Sequence, residues 1–266
     1  MKIITLIENT TCREDLACEH GLSLYIETGD KKILFDAGQS GAFADNAEKL
    51  GIDLTQVDFA VLSHGHYDHG GGLRRFLEIN RTAPVYVSKD ALEPHYNAAG
   101  KEIGLDPFLR KTRRLIFVED VLELGEGITL YPAREEQLCT PIDRDGMTIV
   151  RDGVRMREDF SHEQYLVIQH QETRICFSGC SHRGILNIAR YFQPDILVGG
   201  FHFMKKKTTG DDGRMMELTA QIMMTESEHT VYYTGHCTGE AQFAYMKTIM
   251  GEKLHSLSTG KVFVLE

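Results

Sequence analysis

The alternation of apolar and polar positions predicts strands and helices mixed along the whole chain. Period-two alternation at 22–26, a Thr28-Gly29-Asp30 turn and an apolar run at 32–35 predict a β-hairpin. Short apolar runs predict further strands at 2–7, 57–62, 85–87, 115–118, 128–131, 165–168, 174–177, 195–198, 231–233 and 262–265. Spacing of three to four residues predicts helices at 42–50, 73–79, 184–191, 215–224 and 240–250. Strands and helices distributed in this way favour an α/β class, with two sheets covered by helices.

Two stretches lack a clear period. Residues 91–114 are polar and irregular, and we expect short helices there. Residues 135–163 are charged and rich in turns. We interpret them as a variable excursion from a single domain over residues 1–266, because no low-complexity linker or internal repeat divides the chain.

Composition and net charge limit the classes of binding partner that we expect. The chain has 266 residues, 42% hydrophobic and 26% charged, which is ordinary for a globular protein. A net charge of −10 argues against nucleic acid or an anionic membrane as a partner. No apolar run approaches the roughly 18–20 residues that span a bilayer, and the N-terminus lacks a signal-peptide pattern. We therefore expect a cytoplasmic protein.

The strongest chemical signal directly follows the predicted strand at 57–62. There, three imidazoles and one carboxylate lie within six residues: His64, His66, Asp68 and His69. Imidazole and carboxylate ligate zinc, and also manganese, iron or cobalt. His64 and His66 can converge on one ion, while Asp68 and His69 turn toward a second. A polar surface loop with scattered histidines is the plainer interpretation, but this spacing makes a metal site the better prediction.

These residues resemble the metallo-β-lactamase superfamily, whose signature is HxHxDH after a buried strand. The resemblance implies a four-layer αββα sandwich with one or two divalent metals, zinc first among them, at one edge of the sheets. Leu34-Phe35-Asp36-Ala37-Gly38 is similar to the superfamily's first motif, in which the Asp supports the metal loop. Asp36 is therefore expected to orient a ligand or the loop.

Further segments resemble one subgroup, the proteins related to dihydropterin–ribofuranosylaminobenzene phosphate synthases. The segments are Glu19-His20-Gly21, Gly179-Cys180-Ser181-His182, Gly200-Phe201-His202 and Gly235-His236-Cys237. The likeness implies that Asp68, His69 and His236 hold the second metal. It also leaves two candidates for the third ligand of the first metal. We favour His182 over His162, because His162 lies at the border of the excursion.

One position departs from the superfamily pattern. Cys180 stands where most members have the aspartate that bridges the two metals. If Cys180 does not replace that bridge, the second metal is held mainly by the remaining ligands and binds more weakly.

The remaining candidates are assigned by their neighbours in sequence. His202 is either a core histidine or a group that binds substrate or donates a proton. Glu19 and His20 are expected to support the ligands by hydrogen bonds, with Glu19 and Asp36 fixing imidazole tautomers. The lysine run at 205–207 is expected to be a solvated loop, with anionic-substrate binding as the alternative. Residues expected at the surface without a role are His95, His170, His229 and His255.

Three functions fit this centre. The first is a metal-dependent hydrolase that activates water against a small-molecule ester, lactone or phosphoester, with Asp68 and His202 as catalytic groups. The second, implied by the subgroup, is a synthase-like transferase that joins a dihydropterin to a ribofuranosyl-aminobenzene phosphate. The third is a redox or metal-binding module without hydrolysis. Fold and metal site do not by themselves fix the substrate.

Overall fold

The computed structural model describes residues 1–265, which form seventeen strands and six α-helices. The strands are β1 (Lys2–Ile7), β2 (Ser23–Thr28), β3 (Lys31–Phe35), β4 (Phe59–Val61), β5 (Val85–Ser88), β6 (His95–Tyr96), β7 (Leu115–Val118), β8 (Leu122–Gly125), β9 (Ile128–Pro132), β10 (Thr148–Arg151), β11 (Val154–Arg157), β12 (Gln164–His170), β13 (Thr173–Gly179), β14 (Ile196–Gly199), β15 (Val231–Thr234), β16 (Leu254–Ser256) and β17 (Val262–Val264). The helices are α1 (Ala42–Lys49), α2 (Tyr67–Gly70), α3 (Leu73–Ile79), α4 (Ile185–Phe192), α5 (Gly210–Glu226) and α6 (Glu240–Met250).

Two seven-stranded sheets share one arrangement. The first has the order β17-β1-β2-β3-β4-β5-β7 and the second the order β16-β15-β14-β13-β12-β9-β8. Each sheet has three antiparallel pairs on one side and three parallel pairs on the other. A third, three-stranded sheet has the order β11-β10-β6. In the parallel half of each large sheet, the carboxyl ends of the strands therefore lie at the same edge.

Three apolar cores define the layers. Phe35 of the first sheet packs against Phe177 of the second, with ring centroids 5.6 Å apart. Helices α1 and α3 cover the outer face of the first sheet through Phe43 and Phe76. Helices α4, α5 and α6 cover the second sheet, with Met216 of α5 among the buried side chains. The predicted α/β class and four-layer αββα sandwich are therefore confirmed.

Some elements differ from the sequence prediction. Helix α5 extends over Gly210–Glu226, well beyond the predicted 215–224, because Asp211 and Asp212 favour its first turn. The excursion contains the hairpin β10–β11, which pairs with β6. The sequence signal for this hairpin is the pair Asp152-Gly153, which is typical of two-residue hairpin turns. Both residues have positive φ, as such a turn requires. Strands β8 and β16 are too short to show a period.

The helices of residues 1–265 include none that is both long enough and apolar enough to cross a bilayer.

Candidate metal centre

The predicted site residues come together at the edge where the parallel strands end. Asp36 follows β3, and the segment 63–69 follows β4. On the facing sheet, the loops after β13, β14 and β15 carry Cys180 to His182, His202 and His236. The carboxyl ends of parallel strands are a common location for ligand sites, because the loops there converge.

Asp36 is buried and fixes the orientation of the segment after β4. Its carboxylate accepts the backbone N–H and the hydroxyl of Ser63, both at 2.7 Å, and Nδ1–H of His69 at 2.6 Å. Since Ser63 donates its hydroxyl to Asp36, Ser63 Oγ accepts Nδ1–H of His64 at 2.8 Å. Each imidazole therefore keeps the lone pair of its Nε2 free.

His69 and His236 form the centre of one cluster. His236 directs Nδ1 at Oδ1 of Asn9, 2.9 Å away, and therefore also keeps its lone pair on Nε2. The two Nε2 atoms lie 3.1 Å apart. Two ring nitrogens at that distance need a cation between them, either a proton carried by one of the rings or a metal ion. Two nitrogens bound to one tetrahedral zinc at about 2.0–2.1 Å would be about 3.3 Å apart, so the pair fits a metal.

Asp68 and Cys180 complete this cluster. Asp68 Oδ2 lies 3.2 Å from His236 Nε2 and 4.0 Å from His69 Nε2, and His20 Nε2 lies 3.4 Å from the same oxygen. Cys180 Sγ lies 3.0 Å from His69 Nε2. Burial raises the pKa of the Cys180 thiol well above its ordinary value. Burial opposes charge on His69 too, but Asp36 raises its pKa to about 9, so a metal would compete with a proton there.

The second cluster contains His64, His66 and His182. Their ligand atoms lie within 4.8 Å of one another, and all three residues are buried. Nε2 of His64, Nε2 of His66 and both ring nitrogens of His182 have no hydrogen-bond partner. Burial, together with the neighbouring imidazoles, lowers the pKa of each ring well below its ordinary value. Neutral imidazoles with unpartnered nitrogens are the form that binds a metal.

His162 is close to this cluster but uses its lone pair elsewhere. Its Nδ1 accepts the backbone N–H of Gly65 at 2.9 Å. A neutral imidazole has one lone pair, so Nε2 then carries the hydrogen, and it lies 3.6 Å from Oε1 of Glu158. His162 therefore holds the backbone between His64 and His66.

His95 is fully buried, and its predicted place at the surface is wrong. Its Nδ1 lies 2.8 Å from Oε2 of Glu158, so one buried carboxylate serves both His95 and His162. No local pattern indicates this contact, because Glu158 lies 63 positions from His95.

A buried carboxylate also holds the loop after β13. Glu163 accepts the backbone N–H of His182 at 2.6 Å and that of Arg183 at 3.1 Å. Burial raises the pKa of Glu163 to about 7 even though these hydrogen bonds oppose the rise. The contact fixes the direction in which His182 leaves the strand.

His202 lies next to the His182 ring, with centroids 4.2 Å apart. Its Nε2 lies 3.1 Å from Asp145 Oδ2. Burial works against protonation, but Asp145 raises the pKa of His202 to about 9. Lys206 pairs with the same Asp145 at 3.0 Å and with Asp143 at 2.5 Å, so the middle of the lysine run is not simply solvated.

One supporting residue differs from expectation. Glu19 contacts no metal-site imidazole in the described residues: its carboxylate accepts the backbone N–H of Gln39 at 3.2 Å and of Ser40 at 3.0 Å. It thereby braces the loop after Asp36. The support of His236 comes instead from Glu8 and Asn9 at the end of β1, where Glu8 accepts the backbone N–H of His236. The sequence signal for this support is Glu8, a charged residue directly after the apolar run at 2–7.

The backbone is strained where the strands end. Asp36, His202 and His236 have φ values of 59°, 55° and 46°, which residues with a Cβ rarely adopt. Gly179 has φ 63°, and a Cβ there would lie 2.3 Å from Ser63 Oγ. Glycine therefore lets the two sheets approach closely at the site.

Comparisons with known proteins agree with this geometry. A family model described as the metallo-beta-lactamase superfamily matches residues 17–236. The 7,8-dihydropterin-6-methyl-4-(beta-D-ribofuranosyl)-aminobenzene-5'-phosphate synthase of Methanocaldococcus jannaschii is 27% identical, over 98% of this chain and 96% of that protein. An uncharacterized protein of the same organism, MJ0448, is 31% identical over 75% of this chain and 78% of its own. The crystal structure of Tm1679, a metal-dependent hydrolase of the beta-lactamase superfamily, matches with a TM-score of 0.83 at 31% identity, covering 100% of this chain and 99% of the other.

Proposed function

Because this chain belongs to the metallo-β-lactamase superfamily, we propose that it is a metal-dependent hydrolase that activates water against a small-molecule ester, lactone or phosphoester. Most of that superfamily are metallo-hydrolases, and the chain has clusters of His and Cys able to hold a metal. The single observation that carries the proposal is the pair of buried ring nitrogens, Nε2 of His69 and Nε2 of His236, which lie 3.1 Å apart.

The ligands follow from the free lone pairs. We assign His64, His66 and His182 to the first metal, and Asp68, His69 and His236 to the second, with Cys180 as an added thiolate ligand. His162 is assigned a supporting role, since its lone pair is used by Gly65. Zinc is the favoured ion because its usual ligands are imidazole, carboxylate and thiolate. Manganese and iron remain alternatives.

A divalent metal held here would lower the pKa of a bound water molecule to about 7 and supply a nucleophile at neutral pH. Asp68 is 14% exposed and its Oδ2 lies 3.2 Å from His236 Nε2, so it can orient that water and accept its proton. His202, held by Asp145, is positioned to bind the substrate or to donate a proton to the leaving group. The burial of the neighbouring imidazoles excludes bulk water, which strengthens each of these interactions.

A synthase-like transferase is the second candidate. The observation that favours it is the 27% identity to the dihydropterin–ribofuranosylaminobenzene phosphate synthase over nearly the full length of both proteins. In that reaction the same residues would bind a leaving group and would not need to activate water. A common fold does not decide between the two reactions.

Assays on the metal-loaded protein test the proposal. We expect turnover of an aryl ester or a lactone that disappears with a chelator and returns with zinc, manganese or iron. A dihydropterin and a ribofuranosyl-aminobenzene phosphate should give no condensation product. Condensation without hydrolysis would favour the transferase, and a di-iron optical spectrum without either reaction would favour a redox module.

Replacing Cys180 by alanine tests the thiolate ligand. In the cobalt(II) form, the wild-type protein should show a sulfur-to-cobalt charge-transfer band in the near ultraviolet, and Cys180→Ala should lose it. Second-site affinity should fall, because one donor of the set is removed. Cys176→Ala is the matched control, since that buried thiol packs in the helix-covered core. A band that survives in Cys180→Ala would reject the assignment.

A further inference from the structure

A cavity of about 260 Å³ begins at His182 and His202 and extends away from the candidate metal centre. Its walls come from the start of α4, the loop after β14, the middle of α5 and the excursion. Six apolar side chains line it: Pro141, Ile185, Leu186, Phe201, Phe203 and Met215. A pocket of this kind, with a few polar groups at one end, is typical of small-molecule sites.

The charged groups of the cavity are already paired. Lys206 binds both Asp143 and Asp145, and His202 binds Asp145. Among the described residues that line the cavity, no cationic side chain is left without a carboxylate. A phosphate or carboxylate entering here would have to break these pairs and lie beside two aspartates, which is electrostatically unfavourable.

We propose that this cavity binds the uncharged, apolar portion of an ester or lactone, and that substrates whose anionic group would have to enter the cavity are poor substrates. The inference rests on the proposed hydrolase. In the reaction, the oxygen of water bonds to the carbonyl carbon and the bond from that carbon to the leaving oxygen breaks. One proton of the water ends on the leaving oxygen, which gives an alcohol and an acid. The apolar substituent remains in the cavity while the carbonyl lies at His182 and His202.

A substrate series measures the preference. For aryl acetate, butyrate and hexanoate, kcat/KM should rise about fourfold with each added methylene until the cavity is filled. The matching aryl adipate monoester, whose acyl chain ends in a carboxylate inside the cavity, should be at least about tenfold worse than the hexanoate. A flat series, or a preference for the charged compound, would overturn the inference.

Charge placed on the cavity wall gives a second readout. Leu186→Lys and Met215→Lys should each lower kcat/KM for the hexanoate at least about tenfold. The effect on the acetate should be smaller, because less of that substrate reaches the apolar walls. Leu218→Lys is the matched control, since Leu218 is on the same helix as Met215, is 57% exposed and lies outside the cavity. Equal losses for both esters in the wall variants would contradict the assignment.

Binding of 1-hexanol separates this inference from the proposed function. Saturation-transfer NMR should detect 1-hexanol on the wild type and on Leu218→Lys, and should show a weaker signal on Leu186→Lys. If 1-hexanol binds in this way while no ester is hydrolysed, the cavity assignment stands and the hydrolase fails. If esters are hydrolysed but 1-hexanol does not bind, the cavity assignment fails.

Discussion

Replacing His182 by alanine is expected to remove the metal from the first site and to abolish measurable hydrolysis. His182 has two buried ring nitrogens without a partner and lies in the cluster with His64 and His66. Loss of a group that only supports a ligand typically costs 10–100-fold in metal affinity, so loss of the ligand itself should exceed about 100-fold. Metal content after dialysis, together with kcat/KM, measures the effect.

His162→Ala is the matched comparison for His182→Ala. It should leave the first metal bound, with affinity lowered by no more than about 100-fold. It should also destabilise the fold by about 1–3 kcal/mol, because the N–H of Gly65 loses its buried acceptor. Thermal unfolding reports that cost. A His182→Ala protein that keeps its metal, beside a His162→Ala protein that loses it, would reverse the assignment.

Replacing Asp68 by asparagine is expected to lower kcat by about 10²–10⁴-fold, the usual effect of losing a positioned acid or base. The substitution keeps the size of the side chain but removes the negative charge near His20, His69 and His236. Second-site metal affinity should fall as well, since an amide is a weaker ligand than a carboxylate. Calorimetric metal titration and steady-state kinetics measure the two effects separately.

Asp30→Asn is the control for this charge change, because Asp30 lies in the exposed turn between β2 and β3. It should alter neither metal affinity nor kcat. An Asp68→Asn protein with unchanged kcat would show that the carboxylate neither orients the water nor accepts its proton.

The sequence predicts those parts of the molecule that are determined by residues adjacent in the chain. The run at 57–62 and the HxHxDH segment after it lie together in the chain, so a buried strand and a candidate metal loop follow from adjacent residues. The resemblance to the metallo-β-lactamase superfamily and its synthase-related subgroup is confirmed by the family-model match over residues 17–236 and by the synthase that aligns with 98% of this chain. It also supplied the order of the layers, which periodicity alone does not give.

The supporting residues were harder to predict because their partners are distant in sequence. Glu158 is polar and lies in a charged stretch, which favours an exposed loop, yet it is buried against His95 and His162. Asn9 meets His236 across 227 positions. Such contacts depend on how the two sheets pack against each other. The periodic pattern of apolar residues does not indicate that packing. The choice between His162 and His182 also depends on a distant contact. The backbone N–H of Gly65 donates to Nδ1 of His162 and so uses the lone pair of that ring.

Anomalous diffraction from zinc-loaded crystals, combined with elemental analysis of the same protein, shows whether the two clusters bind metal. We predict at least one metal per chain, with a peak about 2.0–2.1 Å from nitrogens of His64, His66 and His182 or of His69 and His236. A peak at both clusters would give the full dinuclear centre. Crystals without an anomalous peak at either cluster, from protein that binds no divalent metal in solution, would contradict it.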